Sequence, residues 1–361
     1  MDEKKKAEIE ARIRANEEAK IYWQIKEELE KKYANKTLIN VKTRKEYINK
    51  LNGGYRENEI ELTVPGEMND LGYAYENGNG VTKDMYKAFE WYKKAAEAGN
   101  KYGQRNLGLM YYYEKGTSRD YKYAFYWFQK AADQGNISAY VDLGLCYEYG
   151  NGATKDLHKA LECYKKAAMQ GQMHGERNLA NMYYYGKGTP IDYNQAFYWY
   201  QKAADQGNIS AYVDLGLCYE NGYGVSKDLH KAFEWYKKAA EAGDKYGQRN
   251  LGLFYKNGNG IPVDYYKAFY WFEKAANQGY VAAYVSLGIC YENGNGVTKD
   301  LYKAFEWYKK AAEAGSEWGM YDLGLCYEYG RGTTIDYNKS KYWYQKAASL
   351  GNESAKKRLE I

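Results

Sequence analysis

The stretch ISAYVDLGLCYEYGNGATKDLHKALECYKKAAMQG, residues 137–171, decides the fold. Ala139, Leu143 and Tyr147 stand at i, i+4 and i+8, a stripe along one face of a helix. Gly150-Asn151-Gly152 then breaks that helix, because glycine at both positions permits a tight turn with positive φ. Asp156 follows as an N-cap, placed to accept an orphan backbone N–H. A second helix carries Ala160, Tyr164 and Ala167 at i, i+4 and i+7, and Gly171 terminates it in the left-handed conformation. The segment therefore reads as a helix–turn–helix hairpin.

The same hairpin recurs along the chain. Leu-Gly stands at Leu71-Gly72, Leu107-Gly108, Leu143-Gly144, Leu215-Gly216, Leu251-Gly252, Leu287-Gly288 and Leu323-Gly324, with Leu179-Ala180 in the missing phase, a step of 36 residues. Asp84, Asp120, Asp192, Asp228, Asp264, Asp300 and Asp336 repeat the cap, and Ala-Ala recurs from Ala95-Ala96 to Ala347-Ala348. Eight copies span about Met68 to Gly351. One such hairpin cannot bury its own apolar stripe, whereas stacked copies bury a continuous core. Gly144 and Ala167-Ala168 let helices approach closely. Trp91, Trp127, Trp199, Trp235, Trp271, Trp307 and Trp343 share one phase, taken by Cys163 in the third copy, and read as core packing between successive second helices.

Composition agrees with helices and narrows the function classes. The 361 residues include only 3 Pro among many Ala, Lys, Leu and Glu. The 37 Gly do not recur every third residue, which excludes a collagen reading. Net charge is +5, with 52 basic and 47 acidic residues interleaved, so no concentrated positive field for nucleic acid is expected. No apolar stretch follows Met1-Asp2-Glu3-Lys4-Lys5-Lys6, and no run approaches the ~20 apolar residues of a membrane span, which points to a cytoplasmic protein or one exported without a signal. Cys146, Cys163, Cys218, Cys290 and Cys326 lack CxxC spacing and read as reduced, buried groups. His158, His174 and His230 show no metal-ligand spacing, and no cofactor is implied.

The succession Leu-Gly-x-x-Tyr, Gly-x-Gly-Val, Asp, Lys-Ala-x-x-Trp-Tyr and Lys-Ala-Ala-x-x-Gly stands nearly complete at Leu71 to Gly99 and at Leu287 to Gly315. It resembles the Sel1-like repeat, a relative of the tetratricopeptide repeat, over about four fifths of the chain. The resemblance implies an all-α, right-handed α/α superhelical solenoid, the first helix of each repeat lining a concave face. It also implies adaptor roles in complex assembly, signalling, envelope biogenesis or host interaction by bacterial effectors. Some cysteine-rich bacterial relatives carry a disulfide in each repeat and are linked to weak β-lactam binding. Here Ala-Ala stands where those have Ala-Cys, which weakens a disulfide-stapled reading.

Residues 1–67 do not match the repeat. Glu3 to Tyr33 reads as a charged helix with Ala15, Ala19, Tyr22, Ile25, Leu29 and Tyr33 on its apolar face, suited to capping the array, docking a partner or self-association. Thr43-Arg44-Lys45-Glu46 is a capping-box pattern before a short helix ending near Gly53-Gly54. Glu59 to Val64 alternates as an extended segment, and Pro65-Gly66 punctuates before the repeats. At the other end, residues 352–361 read as a capping helix in which Ala355 and Leu359 continue the stripe.

Alternate copies are more alike than neighbours. Ile137 to Glu148 is identical to Ile209 to Glu220, so the larger unit is a pair of repeats, 72 residues. By analogy with tetratricopeptide helices, positions −3, +1 and +4 from the Leu-Gly glycine face inward. Arg105, Arg177 and Arg249 hold −3 in even copies, and Val141, Val213 and Val285 in odd ones. At +4 lie Glu148, Glu220 and Glu292 in odd copies, and Tyr112, Tyr184 and Lys256 in even ones. Arg offers a forked donor to carboxylates, and Tyr offers amphipathic contact at low entropy cost. The pattern predicts a groove for another protein or an extended peptide with an acidic segment. Arg177 with Asn181, one turn apart, resembles a carboxylate-binding pair. Alternatively, Arg and Glu on adjacent helices pair and stiffen the array. No nucleophile elbow, P-loop or dinucleotide fingerprint is present, which argues against an enzyme. Tyr and Lys density leaves nucleic-acid stacking as a weaker alternative, since Lys alternates with Glu.

Overall fold

The computed structural model describes residues 39–53 and 60–360. They fall into two compact units, one ending at Gly175 and one beginning at Glu176, each described by itself. The first holds the hairpins Pro65–Asn77 with Met85–Glu97, Lys101–Tyr113 with Tyr121–Asp133, and Ile137–Tyr149 with Leu157–Met169. The second holds Tyr193–Asp205 and then Ile209–Asn221 with Leu229–Glu241, Lys245–Asn257 with Tyr265–Asn277, Val281–Asn293 with Leu301–Glu313, and Glu317–Tyr329 with Tyr337–Ser349. Helix Met173–Tyr185 runs through the boundary. These are the helix–turn–helix units of a helical solenoid.

The caps follow the sequence. Asp156 Oδ1 accepts from the Lys159 N–H at 3.0 Å, and Asp228 Oδ1 from the Lys231 N–H at 3.0 Å. Gly150 closes its helix at φ 77°. In the second copy Glu114 stands at that position and adopts φ 59°, the one non-glycine residue with positive φ among the described residues. The second loop glycine serves packing between copies: a Cβ on Gly224 would overlap the Tyr193 carbonyl of the preceding repeat.

The core corrects the emphasis on tryptophan. Trp91 and Trp127 are buried, but Trp199, Trp235, Trp271, Trp307 and Trp343 are half-buried at the core margin. Lysine ammonium groups lie over some of these rings, Lys94 Nζ 4.1 Å from the Trp91 centroid and Lys238 Nζ 4.1 Å from that of Trp235, so those faces serve cation–π contacts. The deepest aromatic is the next residue: Tyr92, Phe128, Tyr164, Tyr200, Tyr236, Phe272, Tyr308 and Tyr344 are each at most 4% exposed. In seven copies this ring lies on the bare backbone of the Leu-Gly glycine. A Cβ at Gly252 would stand 2.6 Å from Phe272 Cε1, and one at Gly108 2.6 Å from Phe128 Cε1. Glycine inside a helix costs about 1 kcal/mol relative to alanine, and the ring contact it admits offsets that cost.

Before the repeats, β1 (Ile39–Val41) pairs in parallel with β2 (Ile60–Leu62), Ile39 opposite Ile60. Between them lies α1 (Arg44–Asn52), which opens with the expected capping box of Thr43 and Glu46 and ends at Gly53. Of the expected extended segment, Ile60–Leu62 is thus a strand, and its pairing with residues upstream is a small departure from an all-helical chain. Pro65 does not precede the first repeat helix but occupies its first turn, where its missing N–H costs no helix bond. Tyr47 is buried edge-on against Trp91 at 4.9 Å, Leu62 joins the same core, and the Arg44 N–H donates to Glu67 at 2.8 Å. The expected helix Glu3 to Tyr33 lies outside the described residues. At the other end, helix Glu353–Leu359 buries Ala355, with Asn352 Oδ1 capping the Ala355 N–H at 2.8 Å.

The glycine contact makes a direct prediction. Gly252→Ala, forced against the Phe272 ring, lowers stability by about 1–3 kcal/mol in urea unfolding. Gly66→Ala, where an added Cβ meets nothing within 4 Å, leaves the midpoint unchanged or slightly raised.

Candidate partner-binding surface

The nine residues singled out on the first helices, Arg105, Tyr112, Glu148, Arg177, Asn181, Tyr184, Glu220, Glu292 and Arg249, are all half-buried. Most of their polar ends are already engaged within the protein, and the engagements repeat.

Arg105 reaches into the next repeat. Its Nε donates to Asp142 Oδ2 at 2.6 Å and its Nη2 to Asp142 Oδ1 at 3.4 Å. Arg177 makes the same fork with Asp214, at 2.7 and 3.5 Å. The acceptor is therefore aspartate, one residue beyond the inward valine, and not the glutamate at +4. Burial raises the pKa of both aspartates, and the facing guanidinium opposes that shift. Arg249 departs from the pattern. Ser286 stands where Asp142 and Asp214 stand, its Oγ donates back to the Ala282 carbonyl at 3.2 Å, and Arg249 Nε is buried without a hydrogen-bond partner.

The glutamates accept from the deep tyrosine of their own hairpin. Tyr164 OH donates to Glu148 at 2.9 Å, Tyr236 OH to Glu220 at 2.7 Å, and Tyr308 OH to Glu292 at 2.8 Å. Tyr92 with Glu76 and Tyr344 with Glu328 repeat the bond. Burial and the neighbouring carboxylate together push these phenols well above their ordinary pKa. Where +4 is Tyr112 or Lys256, the deep ring is Phe128 or Phe272, with no hydroxyl to satisfy. In the fourth copy +4 is Tyr184 and the ring is Tyr200, so Asn181 supplies the acceptor at 2.7 Å. Asn181 thus answers Tyr200, one turn from Arg177 but bonded elsewhere.

The +4 residues also meet the loop of the following repeat. Asn151 Nδ2 donates to Tyr112 OH at 2.8 Å, Arg331 Nη1 to Glu292 at 2.7 Å, and Lys115 Nζ to Glu76 at 2.9 Å, while Tyr184 packs edge-on against Tyr223 at 5.6 Å. Sequence reasoning had no signal for Asp142, Asp214 or the loop partners beyond their recurrence at fixed offsets of 37 and 39 residues.

Asp322 is the converse of Arg249. It holds the aspartate phase in the last copy, but Val285 stands where its arginine would be. Burial, with Glu292 adding and Arg331 opposing, pushes its carboxyl up to about 7, and Tyr308 and Cys326 feel its charge in turn. Cys146, Cys218, Cys290 and Cys326 are buried and Cys163 half-buried, all free, and burial pushes the Cys218 thiol up to about 12. That suppresses the nucleophilic thiolate at neutral pH. Among the described residues no His, Cys, Asp and Glu group is placed to hold a metal ion, and no helix is long and apolar enough to cross a membrane. Two open clefts, of about 620 and 1170 Å³, are lined by α1 and turn residues around Tyr75 to Lys87 and by residues around Arg119 to Thr154. Neither contains any of the nine residues.

The chain belongs to the Sel1-repeat family. The Sel1 repeat model matches residues 68–100, 101–136, 137–172, 174–208, 209–244, 245–280, 281–316 and 319–352. Among solved structures, a protective antigen of uropathogenic Escherichia coli with this repeat fold is 34% identical at a TM-score of 0.67, covering 88% of this chain and 66% of that one. A Sel1 repeat protein from Oxalobacter formigenes is 32% identical at a TM-score of 0.61, covering 68% of this chain and 96% of that one. This chain thus spans a little under two thirds of the Escherichia coli antigen. No curated protein matches it.

Two measurements check the electrostatics. Arg177→Met alone orphans Asp214 and costs about 2–3 kcal/mol, below the full buried-ion penalty because 31% of the Arg177 side chain stays in water; adding Asp214→Leu recovers most of the loss. For Asp322 the folded-state pKa exceeds the unfolded value of about 3.9, so the folded state binds the extra proton and stability falls between about pH 4 and pH 7, then levels. Asp322→Asn removes that slope, and unfolding at pH 8 shows the variant more stable by roughly 1–3 kcal/mol.

Proposed function

We propose that the chain is a non-catalytic scaffold that holds another protein, or an extended peptide with an acidic segment, on the face formed by its first helices. Arg105, Tyr112 and Glu148 mark that face in the first unit, and Arg177, Asn181, Tyr184, Glu220, Arg249 and Glu292 mark it in the second. The observation that carries the reading is that the arginines, the glutamates and the tyrosine pair recur at fixed phase on first helices and stay half-exposed, most of them tied to their own neighbours. A partner laid across them meets side chains already held in one rotamer, so little ordering entropy is lost on binding. Tyr112 and Tyr184 supply amphipathic contact area. A repeated polar group serves extended contact, whereas catalysis needs one convergent cluster of distinct roles. The family's adaptor roles agree.

Photo-crosslinking tests this. A benzophenone side chain replacing Tyr112 or Tyr184 is expected to capture a protein in extracts of the source cells, whereas the same group at Tyr198 or Tyr270, about half exposed on second helices, captures none. Adducts confined to positions 198 and 270 would move the interface to the other face, and no adduct from any position would contradict the scaffold reading.

A further inference from the structure

The ion pair that ties even to odd repeats is broken once, and the break is not isolated. Arg105 and Arg177 each grip an aspartate whose side chain is only 10% and 15% exposed. At Arg249 the aspartate is Ser286, which ends one bond past Cβ and turns its hydroxyl to its own helix. The same copy also changes at the helix cap. Asn136 caps the Ala139 N–H and donates to the Lys101 carbonyl, while Tyr280 in its place makes no side-chain cap bond. The Tyr280 ring lies edge-on to exposed Tyr246 at 4.9 Å, with Lys245 Nζ 6.0 Å from its centroid. Lys245 and Arg249 stand one helical turn apart on Lys245–Asn257. Asp244, next to them in sequence, is occupied in capping the Gly247 N–H at 2.7 Å.

From this juxtaposition we infer that Arg249 is a receptor for a carboxylate of the bound partner, an Asp or Glu side chain that takes the place Asp142 and Asp214 fill beside Arg105 and Arg177. The inference rests on the scaffold reading and names the residue that selects an acidic segment. A guanidinium with a buried, unmatched Nε gains a charge-assisted bond from any acceptor placed there. The sister sites specify the shape: a planar carboxylate, met side-on by Nε and Nη2. Lys245 adds a second positive charge at the mouth, and Tyr246 and Tyr280 offer apolar flanks to the chain that carries the acid. A phosphate backbone is the less favoured occupant, because its tetrahedral group does not match the planar slot and a single Arg with one Lys gives little of the extended positive field that nucleic acid needs.

Full-length protein is titrated with a fluorescein-labelled Gly-Ser peptide carrying several Asp residues, with the same peptide carrying Asn, and with oligo-dT. The expected result is binding of the Asp peptide only. Ser286→Asp supplies the carboxylate from within the chain, so it raises Tm and weakens the Asp peptide about tenfold or more. Arg249→Gln weakens it equally, and Ser286→Ala leaves it unchanged. Undiminished peptide binding by a folded Ser286→Asp variant would overturn the inference, as would equal binding of the Asn peptide or preference for oligo-dT. If the Asp peptide fails while crosslinking at positions 112 and 184 persists, the receptor falls and the scaffold stands.

Discussion

Seven of the eight repeats depend on an aromatic ring packed against a helix at a glycine, which has no side chain at the point of contact. The glycine of Leu-Gly allows the approach, and the ring of the second helix takes up the space. Dispersion and hydrophobic burial hold the two helices of a hairpin together at that point. When the ring is Tyr, its hydroxyl enters the interior and requires an acceptor. Glu at +4 provides one, and the choice of residue at +4 follows from the ring below it. Glu accompanies Tyr in five copies, Phe tolerates Tyr112 or Lys256, and Asn181 appears where Tyr200 would otherwise face Tyr184.

The polar first-helix face therefore grows out of core packing. The +4 side chains satisfy the core on one side and meet the next repeat's loop on the other, as Glu292 does between Tyr308 and Arg331. The −3 arginines tie even repeats to odd ones through aspartate. This explains the 72-residue pairing seen in sequence: donor and acceptor occupy alternate copies, so the motif closes only over two repeats. It also explains why the broken positions stand out. Arg249 lacks its acceptor because Ser286 stands in the phase of Asp142 and Asp214, and Asp322 lacks a donor because it stands where other even copies have Asn106, Asn178 and Asn250, facing the ordinary odd-copy Val285.

Much of this was legible in the chain alone. Hairpins, loops, Asp caps and glycine terminators follow from local spacing and backbone preference, which do not depend on neighbours. The first helix beginning at Pro65, the pairing of Ile60–Leu62 with Ile39–Val41, and the Arg105–Asp142 fork depend on which segments meet in space, and a single helix's period does not encode that. Trp was overrated for a physical reason. It is the larger apolar ring, but in five of the seven copies that carry it the ring sits half-buried at the core margin, as Trp235 does beneath Lys238, whereas Tyr and Phe fit the gap over glycine. The first-helix side chains chosen by analogy are half-buried, and their bonding was hidden because Asp142 is adjacent in sequence to a position read as valine-lined.

The deep tyrosine and the +4 acid act as one unit. A double-mutant cycle on Tyr236 and Glu220, using Tyr236→Phe and Glu220→Lys, tests it most directly, because the double variant recreates the Phe272 and Lys256 combination that the chain already uses. Urea unfolding should show each single change destabilising and the double change restoring most of the loss, a coupling of about 1 kcal/mol or more. Strictly additive effects would contradict the account.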